Sequence, residues 1–198
     1  MTFPLVTGGE SRELQKAPTG NHVSRCYQVV DLGQQKTTFQ GTEKIQRQLL
    51  LGFELCDELM EDGRPFAVSN TYSFSLGPKA NLRRVLEGWR GRPFSEQELS
   101  GFDVSVLAGK PCMVQIAHRQ ANNGKTYVNI QSIGTLPKGL QAPEPQNQVV
   151  VYSPYAHDAQ AYDKLPDWVK RRLSDRVKEE MPDERGRSPE LDDDIPFN

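Results

Sequence analysis

The chain has 198 residues, 36% hydrophobic and 25% charged, with a formal net charge of −2, which suits one modest core with extensions rather than two cores. No run approaches the roughly eighteen apolar residues of a membrane span, and Met1 to Glu10 lack the pattern of a signal peptide, so a cytoplasmic protein is expected. Cys26, Cys56 and Cys112 are odd in number, widely spaced and without a Cys-x-x-Cys pair, which supports neither a disulfide framework nor a zinc ribbon.

Residues 1–20 carry Gly8, Gly9, Pro18 and Gly20 among mixed polar residues and read as an irregular arm. His22 to Asp31, with Val23, Tyr27, Val29 and Val30, reads as a first strand that stops at Asp31-Leu32-Gly33. Lys44 to Leu55 alternates: Ile45, Leu49, Leu51, Phe53 and Leu55 face one way, Lys44, Gln46, Gln48 and Glu54 the other, and Arg47 and Leu50 are out of phase. After the turn Glu61-Asp62-Gly63-Arg64-Pro65, a third strand sets Phe66, Val68, Tyr72, Phe74 and Leu76 against a small polar face of Ala67, Ser69, Thr71, Ser73 and Ser75.

The period then changes. Leu82, Val85, Leu86 and Trp89 form a helical stripe, ended by Gly88 and Gly91-Arg92-Pro93. Ser95 and Glu98 have the spacing of a capping box, which predicts a second short helix. Pro111 to His118, with Cys112, Val114 and Ile116 inward, then Ala121-Asn122-Asn123-Gly124, then Lys125 to Ile133, reads as a β-hairpin, because Asn-Gly supplies positive-φ turn residues. Pro137 to Gln148 is a Pro- and Gln-rich linker, Val149 to Tyr152 an added edge strand, and Asp167 to Lys178 an amphipathic helix whose start is capped at Leu165-Pro166-Asp167.

The order strand, strand, strand, helix, strand, strand is that of the five-stranded OB-fold barrel. The expected organisation is thus mainly β: an irregular arm over 1–20, an OB-fold domain over 21–136, a linker with edge strand and amphipathic helix over 137–178, and a disordered acidic tail over 179–198.

Such a barrel carries ligand across strands 2 and 3, between the loops joining strands 1 and 2 and strands 4 and 5. Single-stranded nucleic acid asks for cations along a groove and rings on which unstacked bases lie. Lys36 falls in the first loop and Arg119 and Lys125 in the second, with Tyr127 aimed outward beside Lys125 as the stacking platform. Further candidates are Lys44 and Arg47, Arg25 and Tyr27, Lys110, and His118. The basic group Arg83, Arg84, Arg90 and Arg92 reads as a solvated helix face, and Lys170-Arg171-Arg172 suits either DNA or the acidic tail. No nucleophile elbow or phosphate-cradling loop is present, and His22, His118 and His157 have no zinc spacing, so no enzyme, cofactor or metal is expected. Asp57, Glu58, Glu61 and Asp62 read as a solvated turn.

From Glu179 onward eight acids stand against two bases, which leaves 22 bases and 18 acids in residues 1–178, a body near +4 with a tail near −6. The tail ends Asp192-Asp193-Asp194-Ile195-Pro196-Phe197-Asn198, an apolar hook that serves no core of its own. This end resembles the C-terminal tip of bacterial single-stranded DNA-binding proteins, except that Asn198 follows Phe197. Together with Gly88-Trp89-Arg90-Gly91-Arg92-Pro93-Phe94 and Gly109-Lys110-Pro111-Cys112, it makes the chain look like phage-encoded single-stranded DNA-binding proteins. That resemblance implies non-enzymatic coating of single-stranded DNA in the host cytoplasm during replication, recombination and repair. Partner enzymes would be recruited through Asp192, Asp193, Asp194, Ile195, Pro196 and Phe197, with homo-oligomerisation left open. The alternative is an OB-fold adaptor or inhibitor that binds a host replication or repair protein instead.

Overall fold

The structure, a computed structural model, describes residues 15–39, 41–121 and 124–177. The acidic tail, most of the N-terminal arm and the Asn122-Asn123 turn lie outside the described residues. Among those described, no helix is long and apolar enough to cross a membrane.

The fold is mainly β. Strands β1 (Gly20–Phe39), β2 (Thr42–Leu59), β3 (Pro65–Ser73), β4 (Pro111–Gln120), β5 (Thr126–Gly134) and β6 (Val150–Tyr152) form one six-stranded sheet. Its hydrogen-bonded path runs β3-β2-β1-β4-β5, antiparallel throughout, and β6 adds parallel to the middle of β1. Among the described residues no register joins the end strands β3 and β5, so the sheet is not closed into a barrel. Helices α1 (Asn81–Arg90) and α2 (Glu96–Ser100) and a short 3-10 turn at Val104–Leu107 lie between β3 and β4, while α3 (Ala159–Asp163) and α4 (Asp167–Ser174) follow β6.

The first strand does not stop at Asp31-Leu32-Gly33; it runs on to Phe39. Turn chemistry there makes a bulge instead, with Gly33 at φ 69° and its N–H donated to Asp31 Oδ1. A second irregularity falls at Tyr27, between the Cys26–Phe53 and Gln28–Gly52 pairs. The extra residue resets the alternation, so Cys26 and Val29 both enter the first core.

Two cores sit on opposite faces of β1 and β2, where one was expected. The first gathers Leu49, Leu51, Phe53 and Leu55 with Val68, Tyr72, Cys112, Val114, Ile116 and the α1 residues Leu82, Leu86 and Trp89. Trp89 meets Phe53 edge-on at 5.6 Å and donates its indole N–H to the Pro111 carbonyl at 2.8 Å. The second packs Val30, Leu32 and Leu50 under Val150, Tyr152, Leu165, Val169 and Leu173. This accounts for Leu50, which is out of phase in a half-buried strand but in phase for a strand covered on both faces.

Two assignments along β2 are corrected. Ile45, expected inward, is 53% exposed, because the β1–β2 hairpin extends past both cores. Glu54, expected outward, is 1% exposed and accepts hydrogen bonds from the Gln146 and Asn147 backbones. The Pro- and Gln-rich stretch is therefore strapped across the sheet. Prolines give it no ladder of N–H donors, so side chains hold it: Glu54 near its C-terminal end, and Arg25 at its middle, donating to the Ala142 and Pro143 carbonyls.

Ser95 and Glu98 form the expected capping box. Arg83, Arg90 and Arg92 are not a free solvated face: Arg83 pairs with Glu87, and Arg90 and Arg92 both pair with Glu98. Arg90 also lies over the rings of Phe94 and Phe102, which locks the α1–α2 corner.

Candidate nucleic-acid interface

The candidate residues fall into three groups along β1. His118, Arg119, Lys125 and Tyr127 belong to the β4–β5 hairpin, which pairs with β1 at its N-terminal end, Gly20 to Arg25. Arg119 and Tyr127 are direct cross-strand partners, so a guanidinium and a ring share one place on the ladder. Tyr127 is 51% exposed, as a platform requires, whereas the His118 ring is engaged with the Ala17 carbonyl at 2.8 Å.

Lys36, Lys44 and Arg47 form a second group on the β1–β2 hairpin, where Lys36 opposes Ile45, Thr37 opposes Lys44, and Gln34 opposes Arg47. Lys36 and Lys44 are exposed. Arg47 is held: its Nε and Nη2 donate to the buried Asp31 carboxylate, and its guanidinium carbon lies 4.4 Å from the Phe74 ring centre and 4.6 Å from that of Tyr155.

Arg25, Tyr27 and Lys110 make the third group, away from either hairpin tip. Arg25 donates to the Gly109, Ala142 and Pro143 carbonyls and so serves as a clamp on the strap. Tyr27 is half-buried beside Gly52, and burial raises its phenol above the usual range. Lys110 is exposed beside Arg25, its carbonyl accepting the Cys26 N–H.

The face of strands 2 and 3 is only half open. On β2, Glu54 lies under the strap, Leu50 under the second core, and Gln48 under Arg172, which donates to Gln48 Oε1 at 2.7 Å and to Thr71 Oγ1 at 2.9 Å. On β3, Ala67 and Ser69 stay exposed and Thr71 and Ser73 partly so. Three clefts follow one another along this strand. The first, about 570 Å³, lies between β3 and β5 and takes in Lys16, Arg64, Ser69, Val128 and Ile130. The next, about 470 Å³, holds Asn70, Thr71 and Arg172, and shares Gln46, Ser73 and Lys79 with a third of about 600 Å³ that adds Lys44, Arg47 and Phe74.

A trough thus follows β3, with cations at intervals; Tyr127, on the strand that supplies Val128 and Ile130 to one end of it, lines none of the three clefts itself. Of the residues singled out from the sequence, Lys44 and Arg47 line these clefts, as does Arg172 from the Lys170-Arg171-Arg172 group, whereas Lys16, Arg64 and Lys79 were not singled out. The Gly77-Pro78-Lys79-Ala80 turn was a legible signal for Lys79, whereas Arg172 becomes part of the trough only through the packing of α4. Neither a known family model nor a curated protein sequence matches the chain.

The last described residue, Val177, donates its N–H to the Gln34 carbonyl at 2.8 Å, on the β1–β2 hairpin that carries Lys36 and Lys44.

Proposed function

We propose that this protein binds single-stranded DNA with little sequence preference, using the trough along β3 and the β4–β5 hairpin. The observation that carries the reading is the succession of three clefts along one strand, two of them sharing lining residues, with cations spaced among small polar and apolar side chains. A phosphate chain needs spaced cations, and small residues such as Ser69 and Thr71 let the backbone approach. We take the sheet for an OB-type barrel left open between β3 and β5, an architecture whose ligands cross strands 2 and 3. The protein performs no chemistry in this reading. It acts during phage replication, recombination and repair in the host cytoplasm, and its acidic end, Asp192 to Phe197, recruits partner enzymes.

Fluorescence anisotropy with labelled oligo-dT tests this. Binding is expected at low salt and should weaken steeply as salt rises, because captured phosphates release counterions. Tyr127→Ala should weaken it by roughly 1–3 kcal/mol, the worth of one stacked base. Deleting Glu179 to Asn198 should strengthen binding modestly, since Val177 lies on the hairpin of Lys36 and Lys44 and an acidic segment tethered there competes for the same cations. Absence of binding at about 50 mM salt, or preference for duplex, would overturn the reading. Capture of a host replication protein through the sheet, with DNA ignored, would put an adaptor in its place.

A further inference from the structure

We infer that Tyr155, in the turn after β6, is a second stacking platform for an unpaired nucleobase, and that the C-terminal segment is therefore part of the nucleic-acid site. This rests on the single-stranded DNA reading above and extends it to a part of the chain outside the five-stranded unit.

Tyr155 is 53% exposed although it belongs to a tightly fixed turn. Ser153 Oγ donates to the buried Asp31 carboxylate at 3.0 Å and accepts the Tyr155 N–H at 3.3 Å, while Ser153 and Ala156 form an isolated bridge. The ring rests on the Arg47 guanidinium at 4.6 Å, and its hydroxyl reaches Gly33, where an added Cβ would lie 3.6 Å from it. Asp31 ties the assembly together, accepting from Arg47, Gly33 and Ser153, which belong to β2, β1 and the turn after β6.

A ring exposed for solvation alone has no need of such support. A stacking platform does, because each degree of freedom frozen in advance is one that binding need not freeze. The place is also right: Arg47 and Phe74, the two groups joined to Tyr155 by this stack, line the cleft that ends the trough, together with Lys44 and Lys79 for the adjoining phosphates. Arg47 is then a positioning residue that acts through the ring, its charge already satisfied by Asp31.

The test is photocrosslinking of the full-length protein to oligo-dT containing 5-iodouracil, with the adduct mapped by mass spectrometry, alongside anisotropy for Tyr155→Ala and Tyr155→Phe. An adduct on Tyr155, a loss of about five-fold or more in affinity for the alanine variant, and retained affinity for phenylalanine are expected. Arg47→Lys, which keeps the charge but not the plane, should lower affinity with the salt slope unchanged; an arginine acting as a plain phosphate charge would lose little affinity in the same variant. Should Tyr155→Ala destabilise the fold, the wild-type adduct and the phenylalanine variant decide. Wild-type binding without a Tyr155 adduct and with full affinity in Tyr155→Ala overturns the inference alone, whereas a wild-type protein that ignores oligo-dT overturns the parent reading and this one with it.

Discussion

Glu54 grips Asn147 twice: its Oε2 accepts the Asn147 backbone N–H at 2.7 Å and the side-chain amide at 2.8 Å, while Oε1 takes the Gln146 N–H at 2.8 Å. A carboxylate that is 1% exposed within a sheet is tolerable because these three donors replace the water it has lost. Glu54→Ala should therefore cost about 1–3 kcal/mol or more, leaving those amides without an acceptor. Urea denaturation checks this, and a variant as stable as the parent would mean that the strap contributes nothing.

Thiol reactivity should rank the cysteines by burial. Desolvation pushes Cys26 up to about 12, Cys56 up to about 11, and Cys112 well above the ordinary 9.0. At pH 8 the native protein should react slowly with maleimide, at Cys56 first because it alone is partly exposed, and all three thiols should react in urea. The sign of the linkage follows. Above pH 9 the unfolded chain releases thiol protons that the folded one retains, so these groups should erode stability as pH rises from about 9 toward 12.

Glu98 should dominate the acid response of the α1–α2 corner. The Arg92 hydrogen bond, the Ser95 N–H and Arg90 hold its carboxyl down to about 2 from the usual 4.5. A depressed carboxylate contributes stability above its unfolded value and loses it as pH falls through the folded one, so the window is about pH 4.5 down to 2. Thermal melts across that range should show a shallower decline for Glu98→Gln than for the parent. Identical slopes would mean that the capping box and its arginines do not govern acid stability.

Leu173→Ala should destabilise the whole protein by about 2–5 kcal/mol, as buried leucine truncations do. Leu173 lies in the second core, against a face of the strands that also build the first, so unfolding should stay a single transition. Calorimetry that resolves two transitions would show that the cores melt independently.

The strands, the α1 stripe, the capping box and the inward set Cys112, Val114 and Ile116 were legible because period and turn chemistry are local signals. The second core was not, since Leu50 and Glu54 owe their burial to residues roughly a hundred positions away, and alternation alone cannot say what covers a face. Gly33 misled for a related reason: a glycine with positive φ after Asp31 ends a strand in one context and bulges it in another. Among the candidate site residues, the outward aim of Tyr127 was legible from its alternation with Val128. Arg47 was singled out for its charge, but that charge is engaged by Asp31, and the fixed setting of Tyr155 was not legible because nothing near it in sequence marks it.

Because β1 and β2 are sheathed on either side, the strap, β6 and α4 cannot be trimmed away as an appendage. Any shortened version stopping before Val150 would turn Val30, Leu32 and Leu50 into a sticky flank prone to self-association. The smallest autonomous unit of this protein accordingly reaches at least to Leu173.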